Sequence, residues 1–212
     1  MEFSIKQGAP EKQRSGCVAV GVFEGGKLSD AGLALDKYSK HALSDIIARG
    51  DLSGKAEATL LLHNVPHTMC ERVLLVGLGK RDEFGARQYR ACVRAAMRAL
   101  QATGTKDAVL YLAELPVAGR NSAWCISQAI LAAFETAYRS DHLKSKREKE
   151  KKAPHKIQFA LLAGKSNAAL ETALTQAVAV ARGMGLAKDL GNLPGNVCTP
   201  SYLAQRSEEA HV

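Results

Sequence analysis

Two stretches of the chain carry residues whose types and spacing could bind an anion, and a third could hold a metal. Gly77-Leu-Gly-Lys80 follows an apolar run and precedes a helical pattern, the position where α/β proteins hold phosphates on backbone amides. Gly77, Gly79 and Lys80 are therefore a phosphate-turn candidate. A Rossmann fingerprint would need glycine where Asp82 stands, and a Walker loop would need glycine at Leu74 and Ser or Thr at Arg81. A tight strand-to-helix turn accounts for the same residues more simply. The second stretch, residues 144–156, holds seven Lys or Arg against two Glu, a net +5 out of the chain's formal +8. With no large apolar side chain it reads as a solvated loop. Lys144, Lys146, Arg147, Lys149, Lys151 and Lys152 are the alternative, a contact to duplex DNA phosphates, and the lack of interleaved aromatics argues against stacking on single strands. His63 and His67 stand four apart, but Pro66 prevents a helix from aligning them and no Glu accompanies them. No Gly-x-Ser-x-Gly or His-Glu-x-x-His occurs. No residue is assigned a catalytic or metal-binding role.

The elements that must position these residues alternate between strand and helix. Phe3 to Lys6 and the β-branched run Cys17 to Phe23 read as strands, the second buried on both faces. Gly25-Gly26 breaks it, Ser29-Asp30 can cap the next element, and Leu33, Leu35, Leu43, Ile46 and Ile47 approximate one helical stripe ending at Gly50. Thr59 to Asn64 and Glu71 to Gly77 are strands close enough to pair antiparallel. Tyr89, Val93, Met97 and Leu100 mark a helix over 87–102 with Gly104 as its stop. Ala108 to Leu112 is a strand, 121–139 a helix, Ile157 to Leu162 the last strand, and an Ala-rich helix runs from Ser166 or Asn167 to about Leu190. Gly183 and Gly185 in that helix suggest close packing against a neighbour. The pattern gives an α/β fold: three layers, α/β/α, with a mixed, mostly parallel sheet, helices on both faces and a long connecting helix after it.

Composition bounds the class further. The 212 residues are 46% hydrophobic and 24% charged, an ordinary globular balance. No segment approaches eighteen consecutive apolar residues and the amino terminus lacks a basic-then-apolar leader, which gives a cytoplasmic reading with no membrane. Five cysteines, odd in number and without a Cys-x-x-Cys pair, read as reduced, mostly buried thiols.

The string Lys188-Asp-Leu-Gly-Asn-Leu-Pro-Gly-Asn-Val-Cys-Thr-Pro-Ser-Tyr-Leu-Ala204 ends one helix, turns and opens another. Gly191 is placed for a left-handed helix end, Pro194-Gly195 forbid continuation, and Thr199-Pro200 supply an N-cap and first helical position. This string resembles the entry to the catalytic domain of leucyl (cytosol) aminopeptidases of the bacterial type. Met1 to Lys6, Pro10 to Ser15, Thr59 to His63 and Glu71 to Gly77 are similar to their amino-terminal domain. The resemblance implies an amino-terminal domain over 1–165, macro-domain-like in fold, a connecting helix over 166–190 and a truncated start of the catalytic domain over 191–212. It implies a parent that releases amino-terminal residues from peptides with two divalent metals, zinc or manganese, and no cofactor in this chain. The Asp-Ser-Gly-Gly and Asn-Thr-Asp-Ala-Glu-Gly-Arg segments that carry the family's ligands are absent here, so the chain alone is expected to be inactive. Its partners would be the remaining catalytic domain and the oligomer that domain builds, with peptides reached through the parent. Two further readings stay open: a DNA-binding module acting through the basic loop, and a domain for phosphate or ADP-ribose-type ligands at Gly77 to Gly79, since macro domains bind ADP-ribose.

Overall fold

The structure is a computed structural model and describes residues 1–140 and 153–209. Seven strands form one sheet: β1 (Glu2–Gln7), β2 (Val18–Phe23), β3 (Lys27–Leu28), β4 (Thr59–His63), β5 (Arg72–Gly79), β6 (Asp107–Leu110) and β7 (Lys156–Leu161). The order is β1-β7-β6-β2-β5-β4, with β3 pairing antiparallel to the end of β2. All neighbours along the main path are parallel except β4 and β5, where Leu61 opposes Leu74 in an antiparallel pair.

Six helices lie among the described residues: α1 (Asp30–Tyr38), α2 (Ala42–Ala48), α3 (Ala86–Thr103), α4 (Ser122–Ala137), α5 (Ala168–Gly191) and α6 (Pro200–Glu209). All six residues of β2 are buried, and they divide the core in two. Val18, Val20 and Val22 pack with Leu35 and Leu43 of α1 and α2; Ala19 faces the layer built by α3, α4 and α5 through Tyr89, Met97, Ile130 and Ala177. The helices therefore cover both faces, the three-layer arrangement expected from sequence. Ser29 caps α1 by accepting from Gly32 N, and Asn121 and Asn167 cap α4 and α5 by accepting from Trp124 N and Leu170 N. Gly104 ends α3 in the left-handed conformation at φ 69°.

Three expectations are corrected. The stripe from Leu33 to Ile47 is not one helix: Leu33 is 55% exposed, and Lys40 and His41 take positive φ between α1 and α2. The break is held by Asp36, a side chain only 4% exposed. Its Oδ1 accepts from Leu43 N and Ser44 N at 2.9 Å each, and its Oδ2 lies 3.2 Å from His41 Nδ1. A carboxylate contributed from α1 thus caps α2, whose own N-cap His41 makes no side-chain cap bond. Second, Gly191 does not turn left-handed; it is the last residue of α5, and Asn192 at φ −91° is its C-cap. Third, Gly183 and Gly185 do not mark close packing, because nothing lies within 4 Å of where a Cβ would stand on either. The two-residue strand β3 has no counterpart in the sequence reading, being too short to show a period.

Burial pushes the Asp36 carboxyl up, but hydrogen bonds from Ser44, His41 and Leu43 outweigh it and hold the group below its ordinary value. A depressed folded value contributes stability above the unfolded value of about 4, lost as pH falls through the folded one. Asp36→Asn should cost about 1–3 kcal/mol at pH 7 and should narrow the gap to wild type below about pH 3.5, read by urea unfolding at both pH values. An equal gap at both would show that the charge does not hold the α1–α2 break. The thiols give a second expectation: Cys17, Cys70, Cys92 and Cys125 are buried and Cys198 is half-buried, all free. Burial pushes Cys17 and Cys125 up to about 12 and raises Cys70 and Cys92 as well. Ellman's reagent on the native chain should titrate one thiol rapidly, removed by Cys198→Ser; rapid reaction of two or more would contradict the buried packing.

Candidate functional site

The strands β2, β6 and β7 run parallel, and residues at and after their carboxyl ends line one cleft. β2 is followed by α1 on one face, whereas β5, β6 and β7 are followed by helices on the other, so the crossovers change sides at β2. An α/β sheet opens a crevice at such a switch point. Here it is a cleft of about 270 Å³ lined by Phe23, Ser29, Asp30, Arg81, Tyr111 and Glu114 among others.

Glu114 and Tyr111 of the cleft are engaged within the fold. Glu114 accepts from three consecutive amides at the end of β7, Leu162 N at 2.5 Å, Ala163 N at 3.3 Å and Gly164 N at 2.7 Å, so a backbone nest that could take an anion holds the chain's own carboxylate. Tyr111 donates to Gly8 O at 2.5 Å and accepts from Gln13 Nε2 at 2.8 Å, and burial raises its phenol. The Arg81 guanidinium lies 5.5 Å from the centre of the Phe23 ring. No buried side-chain nitrogen or oxygen among the described residues lacks a partner.

The phosphate-turn candidate lies at the end of β5, and its amides are also engaged. Gly77 N donates to Ala58 O at 2.7 Å and Gly79 N to Gly54 O at 2.9 Å. Segment 54–58 crosses β5 so closely that a Cβ on Gly77 would stand 2.0 Å from Lys55 O, and Gly54 itself needs φ +78°. This backbone crossing is what the glycines serve. Lys80 Nζ bonds Glu83 Oε1 at 2.9 Å on the surface. His63 and His67 are both exposed, and no group of three or more His, Cys, Asp or Glu among the described residues could hold a metal ion. Lys144, Lys146, Arg147, Lys149, Lys151 and Lys152 lie outside the described residues.

A second surface was not foreseen because apolar exposure is a property of the packed fold. Val180 and Met184 of α5, with Val197 and Leu203 beyond it, are 54%, 42%, 37% and 43% exposed. α6 buries none of its residues. Beside Met184 an apolar groove of about 140 Å³ runs between α4 and α5, lined by Met1, Leu131, Phe134 and Tyr138. Tyr138 donates to Asp189 Oδ1 and accepts from Asn192 Nδ2, both at 3.0 Å, with Lys188 Nζ 5.1 Å from its ring centre. The end of α4 thus fixes the end of α5. Among the described residues no helix is long and apolar enough to cross a membrane.

Residues 19–147, which run from β2 past the end of α4, match the model of the cytosol aminopeptidase family, N-terminal domain. Probable cytosol aminopeptidases of Chromobacterium violaceum and Nitrosospira multiformis are 48% and 50% identical to the chain over 209 and 210 residues, 99% and 98% of its length. The chain spans 40% of the length of each. Among solved structures, a tomato leucine aminopeptidase mutant aligns over 99% of this chain and 42% of its own with a TM-score of 0.75 at 21% identity. A bottromycin maturation enzyme in complex with Mn aligns over 92% and 36% with a TM-score of 0.66 at 22% identity. The fold is shared with both. With its central strand, α3 and α4 inside the matched region and its relatives similar across nearly all of its length, the chain belongs to the cytosol aminopeptidase family and carries that family's N-terminal domain.

Proposed function

We infer that the chain is the non-catalytic amino-terminal part of a longer metal-dependent aminopeptidase, which releases amino-terminal residues from peptides with two divalent ions, zinc or manganese. The observation that carries this reading is the family match over 19–147 together with alignments at near-half identity overall that cover 98–99% of the chain. The residues described do not fit the two ions. The acids are dispersed, and Asp36, the most deeply placed, spends both oxygens on Leu43, Ser44 and His41. No step of peptide hydrolysis is therefore assigned to this chain. When bound in the parent, the ions would polarise the scissile carbonyl and activate water, chemistry that belongs to the remaining part.

The role left to this part is to stand beside the catalytic part and position it. Domain limits of 1–165, 166–190 and 191–212 suit that role: a packed three-layer body, a helix lying along α4, and a terminal segment with Val197 and Leu203 in solvent. Exposed apolar side chains on α5 and the segment after it are suited to a protein interface. The occupant proposed for them is the remainder of the parent.

The purified 212-residue chain should release no leucine from leucyl peptides at any zinc or manganese concentration. Metal-dependent turnover that survives removal of host peptidases would overturn the reading. In the same chain, Val180→Ser with Met184→Ser should move the melting temperature by no more than about 2 °C, since both side chains already face water. A drop of about 6 °C or more would place that face inside this domain's own packing.

A further inference from the structure

The charge of α3 is unusual for a helix of its length. Its sequence places Arg87, Arg90, Arg94 and Arg98 at steps of three, four and four, which sets all four guanidinium groups along one face. The helix contains no acidic residue, and its N-cap Gly85 supplies no side-chain bond. Arg87 and Arg90 thus add positive charge at the end where the helix dipole is already positive. The neighbouring elements relieve only the far end. Arg98 Nη2 is 3.3 Å from Glu57 Oε2 and Arg94 Nη1 is 3.6 Å from Glu135 Oε2. Among the described residues Arg90 Nη1 bonds the neutral Gln128, at 3.3 Å, and no carboxylate pairs with Arg90 or Arg87. Like charges stacked one turn apart on a helix face are unfavourable, and a fold that keeps them departs from its own local rules.

The same arginines share a cavity. Arg87, Arg90 and Arg94 line a shallow groove of about 390 Å³ between α3 and α4, with Gln128, Leu131, Ala132 and Glu135 of α4 completing its lining. From 87 to 94 the helix rises about 10 Å, the reach of several linked phosphate groups and more than one carboxylate needs. Guanidinium forks pair with phosphate oxygens two at a time.

We propose that the α3–α4 groove is a binding site for a short oligophosphate, clamped by Arg87, Arg90 and Arg94 with Gln128 as a neutral donor. Glu135 competes with the ligand for Arg94. The site shares no lining residue with the strand-end cleft, adjoins the groove beside Met184 through Leu131 and Glu135, and is independent of peptide hydrolysis. The linked phosphates could belong to a free polyphosphate or to the tail of a nucleotide; the groove reads the shared chemistry.

Calorimetry of the 212-residue chain with inorganic triphosphate at low salt tests the site. Binding is expected, weakened by added salt, with a stronger response to triphosphate than to sulfate at equal ionic strength. Arg87→Ser with Arg90→Ser should lower the affinity at least about 30-fold and leave the unliganded melting temperature within about 2 °C. Should the double variant fail to fold, Arg87→Ser alone should still cost about fivefold. Glu135→Gln, which frees Arg94, should raise affinity about threefold. A nucleoside triphosphate binding with the same variant pattern but more tightly than triphosphate would identify the nucleotide source; equal affinity would identify the free chain. No triphosphate binding, unchanged affinity in the arginine variants, or loss of binding when Lys144, Lys146, Arg147, Lys149, Lys151 and Lys152 are changed to serine would each overturn the site. Binding of duplex DNA without triphosphate would overturn it too.

Discussion

A strand with no face left for water constrains everything around it. β2 buries all six of its residues and pairs in parallel with β5 on one side and β6 on the other. Parallel neighbours cannot be joined by hairpins, so each connection must cross over the sheet, and both faces must be covered for a Val-Ala-Val-Gly-Val-Phe run to be stable. α1 and α2 cover one face and α3, α4 and α5 the other because the strand leaves no alternative. The cleft at the carboxyl edge follows from the same constraint, since crossovers that change sides must leave their loops apart.

How much of this was legible in the sequence depends on the distance over which each feature is specified. β2 could be read from six adjacent residues, α3 from a four-residue step carried through Leu100 and stopped by Gly104, and the starts of α1, α4 and α5 from Ser29, Asn121 and Asn167, whose side chains cap within three residues. The α1–α2 break could not be read, because it depends on Asp36 reaching seven and eight residues ahead to cap Leu43 and Ser44. The Gly77-Leu-Gly pattern alone suits a phosphate turn or a tight turn, but its glycines answer to Lys55 and Gly54, more than twenty residues earlier in the chain. The Gly183 and Gly185 pair looked like a packing motif, and only the fold shows open space beside both.

The site was still less legible. The densest charge in the sequence lies at 144–156, whereas α3 spreads its four arginines over twelve residues so that no short window is strongly basic. Winding the chain into a helix turns that dilute series into a file of guanidinium groups, and α4 supplies Gln128 and Glu135 as the opposite wall. Likewise, the exposed side chains of Val180 and Met184 lie beside Ala177 and Ala181, at steps of three and seven on the same side of α5, where the two alanines are buried. The apolar stripe is continuous, so the pattern itself does not say where burial stops.

Tyr138 bears on mechanics as well as on packing. Its hydroxyl joins Asp189 and Asn192, and its ring faces the Lys188 ammonium, so the last turn of α5 is bolted to the end of α4. Backbone that continues from Asn192 therefore departs on a set bearing instead of swivelling like a tether. A load applied there would be passed as torque through α4 into the sheet, and the three-layer body would act as the fixed end of a cantilever.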